Sequence, residues 1–208
     1  MLNEEATIYQ ISDENKIQGG IKMKRYEYGN PFDTEAIVEK VDATKGNPKY
    51  GTISQKEGFA FTYIMDEDDI VYGLGEANRG INKRGYCYIS DCSDNPEHTE
   101  DKRSLYAAHN FIIVSGKQTF GMFFDYPSTL TFDIGYTRMD TMKVSCENAD
   151  LNLYVFEGEN AYDIVKQFRK VIGRSYIPPK FAFGFGQSRW GSVSYTHLRA
   201  HETRHDLV

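Results

Sequence analysis

Residues 104–125 read SLYAAHNFIIVSGKQTFGMFFD and decide the fold class. The segments 104–114 and 119–125 are rich in aromatic and β-branched residues, which favour the half-buried surface of a pleated sheet. Between them lies the polar stretch SGKQ at 115–118, which carries the glycine that a tight turn favours. The stretch therefore predicts a β-hairpin of two antiparallel strands.

The same pattern continues on both sides of the hairpin. The 208-residue chain holds 15 Tyr and 13 Phe but one Trp, a composition that suits a sheet core. Short apolar segments, separated by turn residues, predict further strands at 59–65, 70–74, 86–89, 129–134, 141–146 and 151–156. Strands spaced roughly 8–12 residues apart favour a mainly β fold, an antiparallel β-sandwich.

After residue 158 the hydrophobic period changes from strand to helix. Asn160 is a predicted N-cap, and Gly173 stands where a helix-ending glycine belongs. The apolar residues expected on one helical face are Ile164, Val165, Phe168, Val171 and Ile172. The pair Pro178 and Pro179 bars the helix from restarting. The aromatic and glycine-rich run at 181–186 then predicts a buried strand.

These changes of pattern set the predicted domain boundaries. Residues 1–22 are polar, lack a sustained period and predict a loosely ordered extension, with Met23 as an alternative translation start. The order expected after it is a β-sandwich at 23–158, a linker helix with a Pro-Pro hinge at 159–179, and the start of a further domain at 180–191. Residues 192–208 hold three of the five histidines, and this abrupt shift indicates an aberrant or disordered tail.

Charge and cysteine content exclude several classes of protein. The net charge of −6 argues against a nucleic-acid partner, which would need a basic face. No apolar run approaches the roughly 18 residues of a membrane span. The odd number of cysteines, Cys87, Cys92 and Cys146, is typical of buried free thiols in a reducing compartment. The chain is therefore expected to be cytoplasmic.

Residues 201–205, HETRH, fit the zinc motif H-E-x-x-H. On a helix, His201 and His205 would bind zinc one turn apart, with Glu202 as a general base. A metalloprotease also needs a third ligand and a helix face packed into a core, and the few apolar residues nearby do not supply one. The interpretation preferred here is no native metal site, with a zinc protein as an alternative.

Two further patterns receive structural interpretations. Gly73 and Gly75 hint at a dinucleotide fingerprint, but Asn78 stands where its third glycine belongs, so a tight turn between strands is predicted. The acidic run at 66–69 lacks a glycine-centred ligand loop and is interpreted as a solvated turn. No cofactor is expected from either pattern.

The segment 91–101, DCSDNPEHTED, is the strongest candidate for a binding site in the sandwich. It holds His98 and five carboxylates: Asp91, Asp94, Glu97, Glu100 and Asp101. Long polar loops on rigid sandwiches often bind ligands, and carboxylates accept hydrogen bonds from sugar hydroxyl groups. The alternative is a solvated connection between two strands.

Several distinctive motifs follow one another along the chain: VYGLGE at 71–76 with NRG at 78–80, GMFFDY at 121–126, YVFEG at 154–158, and IPPKF at 177–181 leading to GFGQSRWG at 184–191. Together they resemble the N-terminal part of glycoside hydrolase family 31, especially its bacterial α-glucosidases. The resemblance covers roughly residues 23–191 in consistent order. It implies a galactose-mutarotase-like β-sandwich followed by a (β/α)₈ barrel, with 181–190 as the first barrel strand.

The resemblance also implies retaining hydrolysis of α-glucosidic bonds by two aspartates on later barrel strands. A barrel needs about 250 residues, so no catalytic residue is expected in this chain. It is interpreted as an inactive, truncated fragment of an α-glucosidase. Its expected partners are an α-glucoside or oligosaccharide substrate and the catalytic barrel of the same polypeptide.

In this family a sandwich loop reaches over the barrel mouth and supplies an acidic side chain to the bound sugar. By position Asp94 matches best, with Asp91 and Asp101 as alternatives. Arg189 and Trp190 are interpreted as structural supports. The competing hypothesis is a non-catalytic carbohydrate-binding or interaction β-sandwich.

Overall fold

The structure, a computed structural model, describes residues 23–94 and 96–185. The chain divides into two compact units after Arg174. The strands of the first unit are β1 (Met23–Tyr28), β2 (Thr52–Ser54), β3 (Phe59–Ile64), β4 (Ile70–Gly75), β5 (Tyr86–Ser90), β6 (Ala108–Ser115), β7 (Thr119–Asp125), β8 (Leu130–Ile134), β9 (Thr141–Cys146) and β10 (Leu151–Glu157). The helix α1 (Ala161–Ile172) follows them.

The strands form two five-stranded antiparallel sheets. The first sheet has the order β1-β10-β7-β6-β4, and the second has the order β2-β3-β9-β8-β5. The predicted hairpin is β6 and β7, with Ile113 opposite Gly121 and Ser115 opposite Thr119. The expected mainly β, antiparallel sandwich is therefore confirmed.

Aromatic side chains from both sheets fill the core between them. Phe124 of the first sheet lies 6.3 Å from Phe59, 6.1 Å from Phe61 and 5.7 Å from Phe132 between ring centroids. All four rings are fully buried. Burying one such side chain stabilises the fold by roughly 1.5–3 kcal/mol. The inward face of each strand thus holds the two sheets together.

Helix α1 covers the outer face of the first sheet, as its caps and period predict. The side chain of Asn160 accepts a hydrogen bond from the Asp163 N–H at 3.1 Å. Phe168 stacks on Phe111 with ring centroids 3.9 Å apart. Of the predicted apolar face, Ile164, Phe168 and Val171 are buried, Ile172 is partly buried and Val165 is 37% exposed.

Two turn predictions need correction. Gly73 and Gly75 form a bulge inside β4, where the pairing register with β6 shifts, rather than a turn between strands. Gly73 has φ 123°, and a Cβ atom there would lie 2.2 Å from the Phe111 carbonyl oxygen. The acidic run at 66–69 is a turn with Glu67 and Asp68 exposed, as predicted, but Asp69 is buried. Its carboxylate is compensated by hydrogen bonds from the Tyr63 hydroxyl group and the Asp66 N–H.

The prediction of a strand at 181–186 is wrong for residues 181–185, which are the ones that the structure describes. Residues Lys180–Phe183 form a 3₁₀-helix, in which the Ala182 N–H donates to the Pro179 carbonyl at 2.9 Å. A strand needs a neighbouring strand to satisfy its backbone groups, whereas here the Gly184 N–H also donates locally, to the Phe181 carbonyl at 3.0 Å. The backbone groups of this segment pair locally instead, and Phe181, Phe183 and Phe185 are exposed.

Several predictions lie outside the described residues. They concern the extension at 1–22, the tail at 192–208 with its H-E-x-x-H motif, and the supports Arg189 and Trp190. Among the residues that are described, no helix combines the length and the apolar character that crossing a membrane requires. Cys87, Cys92 and Cys146 are free thiols, but Cys92 is exposed and the other two are half-buried, so the expected burial is only partial.

Candidate functional site

The acidic loop, residues 91–101, is closed at its base by backbone hydrogen bonds. The Ile89 N–H donates to the Arg103 carbonyl and the Ser93 N–H to the Leu105 carbonyl, both at 2.9 Å. The Ser104 hydroxyl group donates to the carbonyl of residue 91. These bonds form a neck, so the loop leaves the sandwich in a fixed direction. They also explain why β6 begins at Ala108 rather than at 104.

The far half of the acidic loop is held from outside by the turn between β4 and β5. The Asn78 side-chain amide donates to the Thr99 carbonyl at 2.7 Å. The Arg79 Nε donates to the Glu100 carbonyl at 2.6 Å. Two neighbouring side chains therefore donate hydrogen bonds to two successive carbonyl groups of the loop.

A third contact joins the end of β4 to the chain that follows the neck. The Glu76 N–H donates to the Ala107 carbonyl at 3.1 Å, and the Glu76 carboxylate accepts the Ala107 N–H at 2.9 Å. The His98 ring packs edge-on against Tyr106, with centroids 5.2 Å apart. Glu76, Asn78 and Arg79 therefore bind the acidic loop and the chain that follows it.

Lys83 stabilises the turn at 77–80 from inside. Its side chain is 6% exposed, and its ammonium group donates to the carbonyl groups of Gly80 at 2.8 Å, Ala77 at 3.4 Å and Asn78 at 3.5 Å. Burial lowers the pKa of Lys83 below its ordinary value. The burial of Lys83 was not predicted, because a lysine beside a turn carries no sequence signal of burial.

The structure places the predicted carboxylates at different points of the loop. Asp91 lies at the neck, and Asp94 follows the neck directly. Asp101 is next in sequence to Glu100, whose carbonyl accepts the Arg79 hydrogen bond. All three side chains are exposed. The pKa of Asp101 is lowered, first by a hydrogen bond from the Thr99 side chain and further by the positive charge of Arg79.

Across residues 23–94 and 96–185, no group of three or more His, Cys, Asp or Glu side chains has the arrangement of a metal site. The carboxylates of Asp91 and Asp94 are exposed and can accept hydrogen bonds. An ionised carboxylate at the rim of a rigid support is suited to bind neutral hydroxyl groups.

A cavity of about 660 Å³ lies at the base of the acidic loop. Asp91, Cys92 and His109 line one part of it, and Asp125 with Thr34 lines another. Asp125 is 4% exposed and accepts a hydrogen bond from the Thr34 hydroxyl group at 2.5 Å. Burial raises its pKa above the ordinary value, against the effect of its hydrogen bonds. The residues that line this cavity lie far apart in the sequence, so the sequence did not predict that they share it.

Comparison with known families identifies the sandwich. The sequence model of the glycosyl hydrolase 31 N-terminal galactose mutarotase-like domain matches residues 11–133. Alpha-glucosidase 2 of Bacillus thermoamyloliquefaciens is 35% identical over 154 residues, which are 69% of this chain and 19% of that protein. The alpha-glucosidase of Saccharolobus solfataricus is 27% identical over 167 residues, 78% of this chain and 24% of that protein. This chain thus spans about a fifth of the length of the curated relatives it matches.

Solved structures show the same architecture. The GH31 dextranase of Flavobacterium johnsoniae, complexed with isomaltotriose, has a TM-score of 0.59 at 25% identity and covers 64% of this chain and 16% of its own. A cycloalternan-degrading enzyme from Trueperella pyogenes has a TM-score of 0.54 at 19% identity, over 61% of this chain and 18% of its own. At that identity the second likeness concerns the fold alone.

Proposed function

The chain belongs to glycoside hydrolase family 31, and from this membership we propose that it is the N-terminal part of a retaining α-glucosidase acting on small α-gluco-oligosaccharides. The support for α-glucosidic specificity is the 35% identity to an enzyme named alpha-glucosidase 2. Alpha-xylosidases also match, among them XylQ of Lactiplantibacillus pentosus at 26% identity over 139 residues. A glucosidic substrate is the proposal because the relative with the higher identity bears that name.

Within that enzyme, the proposed role of Asp94 is to bind the sugar at the cleavage site. The observation that carries this role is the position of Asp94: it is exposed and follows directly on the Ser93–Leu105 bond of the neck. A carboxylate held in this way can accept hydrogen bonds from two hydroxyl groups and orient a glucosyl ring. Asp91 and Asp101 are the alternative positions.

The proposed mechanism leaves bond cleavage to the barrel. Retaining glycosidases use one carboxylate as the nucleophile and another as the acid and base. In this proposal both lie on later barrel strands of the same polypeptide, and the sandwich contributes substrate binding. The 208-residue chain then has no hydrolytic activity of its own. A cytoplasmic location is part of the proposal, supported by the three free thiols.

Two measurements test the proposal. The purified 208-residue chain should leave a nitrophenyl α-glucoside intact, and hydrolysis by it would refute the division of labour. The sandwich should also be grafted onto a complete family member, with Asp94→Ala compared against Asp101→Ala in the same graft. Loss of kcat/KM in the first variant alone supports Asp94, whereas unchanged kinetics in that variant removes the assignment.

A non-catalytic carbohydrate-binding or interaction β-sandwich is the second candidate function. The observation that favours it is the 660 Å³ cavity beside the acidic loop, a volume within the roughly 300–1,000 Å³ range of small-molecule sites. This function predicts that the isolated chain binds glucose or isomaltose measurably in calorimetry. Absence of heat at millimolar sugar would count against it and would leave the enzymatic proposal intact.

A further inference from the structure

The adjacent residues Lys83 and Arg84 stabilise two different turns. Lys83 donates to three carbonyl groups of the turn at 77–80, the shortest bond being 2.8 Å to Gly80. Arg84 donates instead to the carbonyl groups of residues 66, 67 and 69 and to that of Met139. The turn stabilised by Lys83 contacts the acidic loop through the side chains of Asn78 and Arg79.

The turn at 77–80 has a backbone conformation that needs support. Arg79 has φ 71°, in the left-handed region that a residue with a Cβ atom rarely adopts, and Gly80 follows with φ 61°. A strained backbone of this kind persists only where its surroundings hold it. The ammonium group of Lys83, which is bound to the carbonyl groups around this position, provides that support.

The conformation of the turn decides where its side chains point. With Arg79 left-handed, its Nε reaches the Glu100 carbonyl, and the preceding Asn78 reaches the Thr99 carbonyl. If the turn relaxed to a right-handed conformation, both donors would leave these carbonyl groups. The loop would then lose both hydrogen bonds that these two side chains make to it.

We propose that Lys83 is a positioning residue for the acidic loop: its buried ammonium group fixes the strained turn at 77–80, and Asn78 and Arg79 transmit that geometry to Thr99 and Glu100. The importance of this geometry for a sugar rests on the proposed function, but the coupling between Lys83 and the loop does not. Lys83 contacts no substrate in this proposal, and it acts through the loop.

The test is site-resolved amide hydrogen exchange on the 208-residue chain. Lys83→Met keeps the apolar stem and removes the ammonium group, and Arg84→Met is the matched control. The Lys102 N–H, which donates to the Thr99 carbonyl, reports on the loop, and the Met65 N–H, which donates to the Asp140 carbonyl, reports on the other turn region. We expect at least tenfold faster exchange at Lys102 in Lys83→Met and no change there in Arg84→Met.

Equal exchange of Lys102 in both variants would overturn the proposal, as would an equal acceleration of Lys102 and Met65 in Lys83→Met. Arg79→Met should reproduce the loop effect, and Arg79→Lys, which retains a donor and the charge, should restore slow exchange in part. The exchange experiments contain no sugar. Their outcome therefore does not depend on whether the acidic loop binds an α-glucoside.

If Lys83→Met fails to fold, Gly80→Ala carries the test. A Cβ atom at Gly80 meets no atom within 4 Å, so the substitution strains only the left-handed turn. Faster exchange at Lys102 with unchanged exchange at Met65 would support the coupling. Unchanged exchange at both amides would overturn it.

Discussion

The guanidinium carbon of Arg79 lies 3.7 Å from the ring centroid of Tyr86, while its Nε donates to the Glu100 carbonyl. One side chain therefore joins the first residue of β5 to the outer half of the acidic loop. The ring of Tyr86 contacts the face of the guanidinium group, and the Nε–H on the edge of that group donates the hydrogen bond. This pairing explains how an exposed loop is held without burying apolar side chains of its own.

The ring of Tyr86 should therefore stabilise the loop through its interaction with the cation. We expect Tyr86→Leu to lower the free energy of unfolding by about 0.5–1 kcal/mol, the usual strength of an exposed cation–π contact. Urea denaturation followed by circular dichroism measures the change. Tyr86→Phe is the matched control, since it keeps the ring, and an equal loss in both variants would contradict the role of the ring.

The core between the two sheets predicts a large effect at Phe124. Because this ring is fully buried and contacts Phe59, Phe61 and Phe132, Phe124→Ala should destabilise the fold by about 3–5 kcal/mol. Phe185, which is 96% exposed, is the control, and Phe185→Ala should change stability by less than about 0.5 kcal/mol. Similar values for the two variants in urea unfolding would show that the core is placed wrongly.

The close approach of helix α1 to the first sheet depends on a glycine. A Cβ atom at Gly121 would lie 2.3 Å from Cγ2 of Ile164, so Gly121→Ala should destabilise the fold by about 1–3 kcal/mol through overpacking. Ile164→Ala removes the clashing methyl group. In a double-mutant cycle the two losses should combine to less than their sum, and strict additivity would argue against direct contact.

The buried carboxyl group of Asp125 predicts a specific pH dependence. Burial raises its pKa in the folded state above the value expected in the unfolded chain. Between these two values the folded state binds more protons, so this group destabilises the fold as pH rises through its folded pKa. The wild type should therefore gain stability relative to Asp125→Asn when the pH falls from 7 to about 4. A difference in unfolding free energy that stays constant over this range would contradict the raised pKa.

The sequence predicted the elements whose apolar period is strong. The segments 119–125 and 141–146 are strands with the predicted bounds, and helix α1 begins after Asn160. By contrast, β1 carries the sequence MKRYEY, in which charged residues alternate with tyrosines, and it was not predicted. Its place at the edge of the first sheet, beside β10, explains why it tolerates so many polar side chains.

The candidate site was predicted only in part. The acidic loop stood out in the sequence because its five carboxylates lie within eleven residues of the chain. Asn78 and Arg79, which bind the loop, lie 21 residues before the carbonyl groups that they contact. The lining of the cavity combines residues near 34, 91, 109 and 125. Single-sequence patterns do not report contacts between segments so far apart.

The sequence by itself determined the sheet class, the hairpin of β6 and β7, the helix with its capping residues and the acidic loop, because these depend on neighbours within a few residues. The tertiary structure decided that Lys83 is buried, that Arg79 is left-handed, that Asp69 is enclosed and that residues 180–183 form a 3₁₀-helix. Each of these depends on the three-dimensional surroundings of the residue, even where its hydrogen-bond partner is close in the chain, as Gly80 is to Lys83 and Asp66 is to Asp69. Such surroundings set the energy of a buried charge or an unpaired backbone group, and a hydrophobic period does not report them.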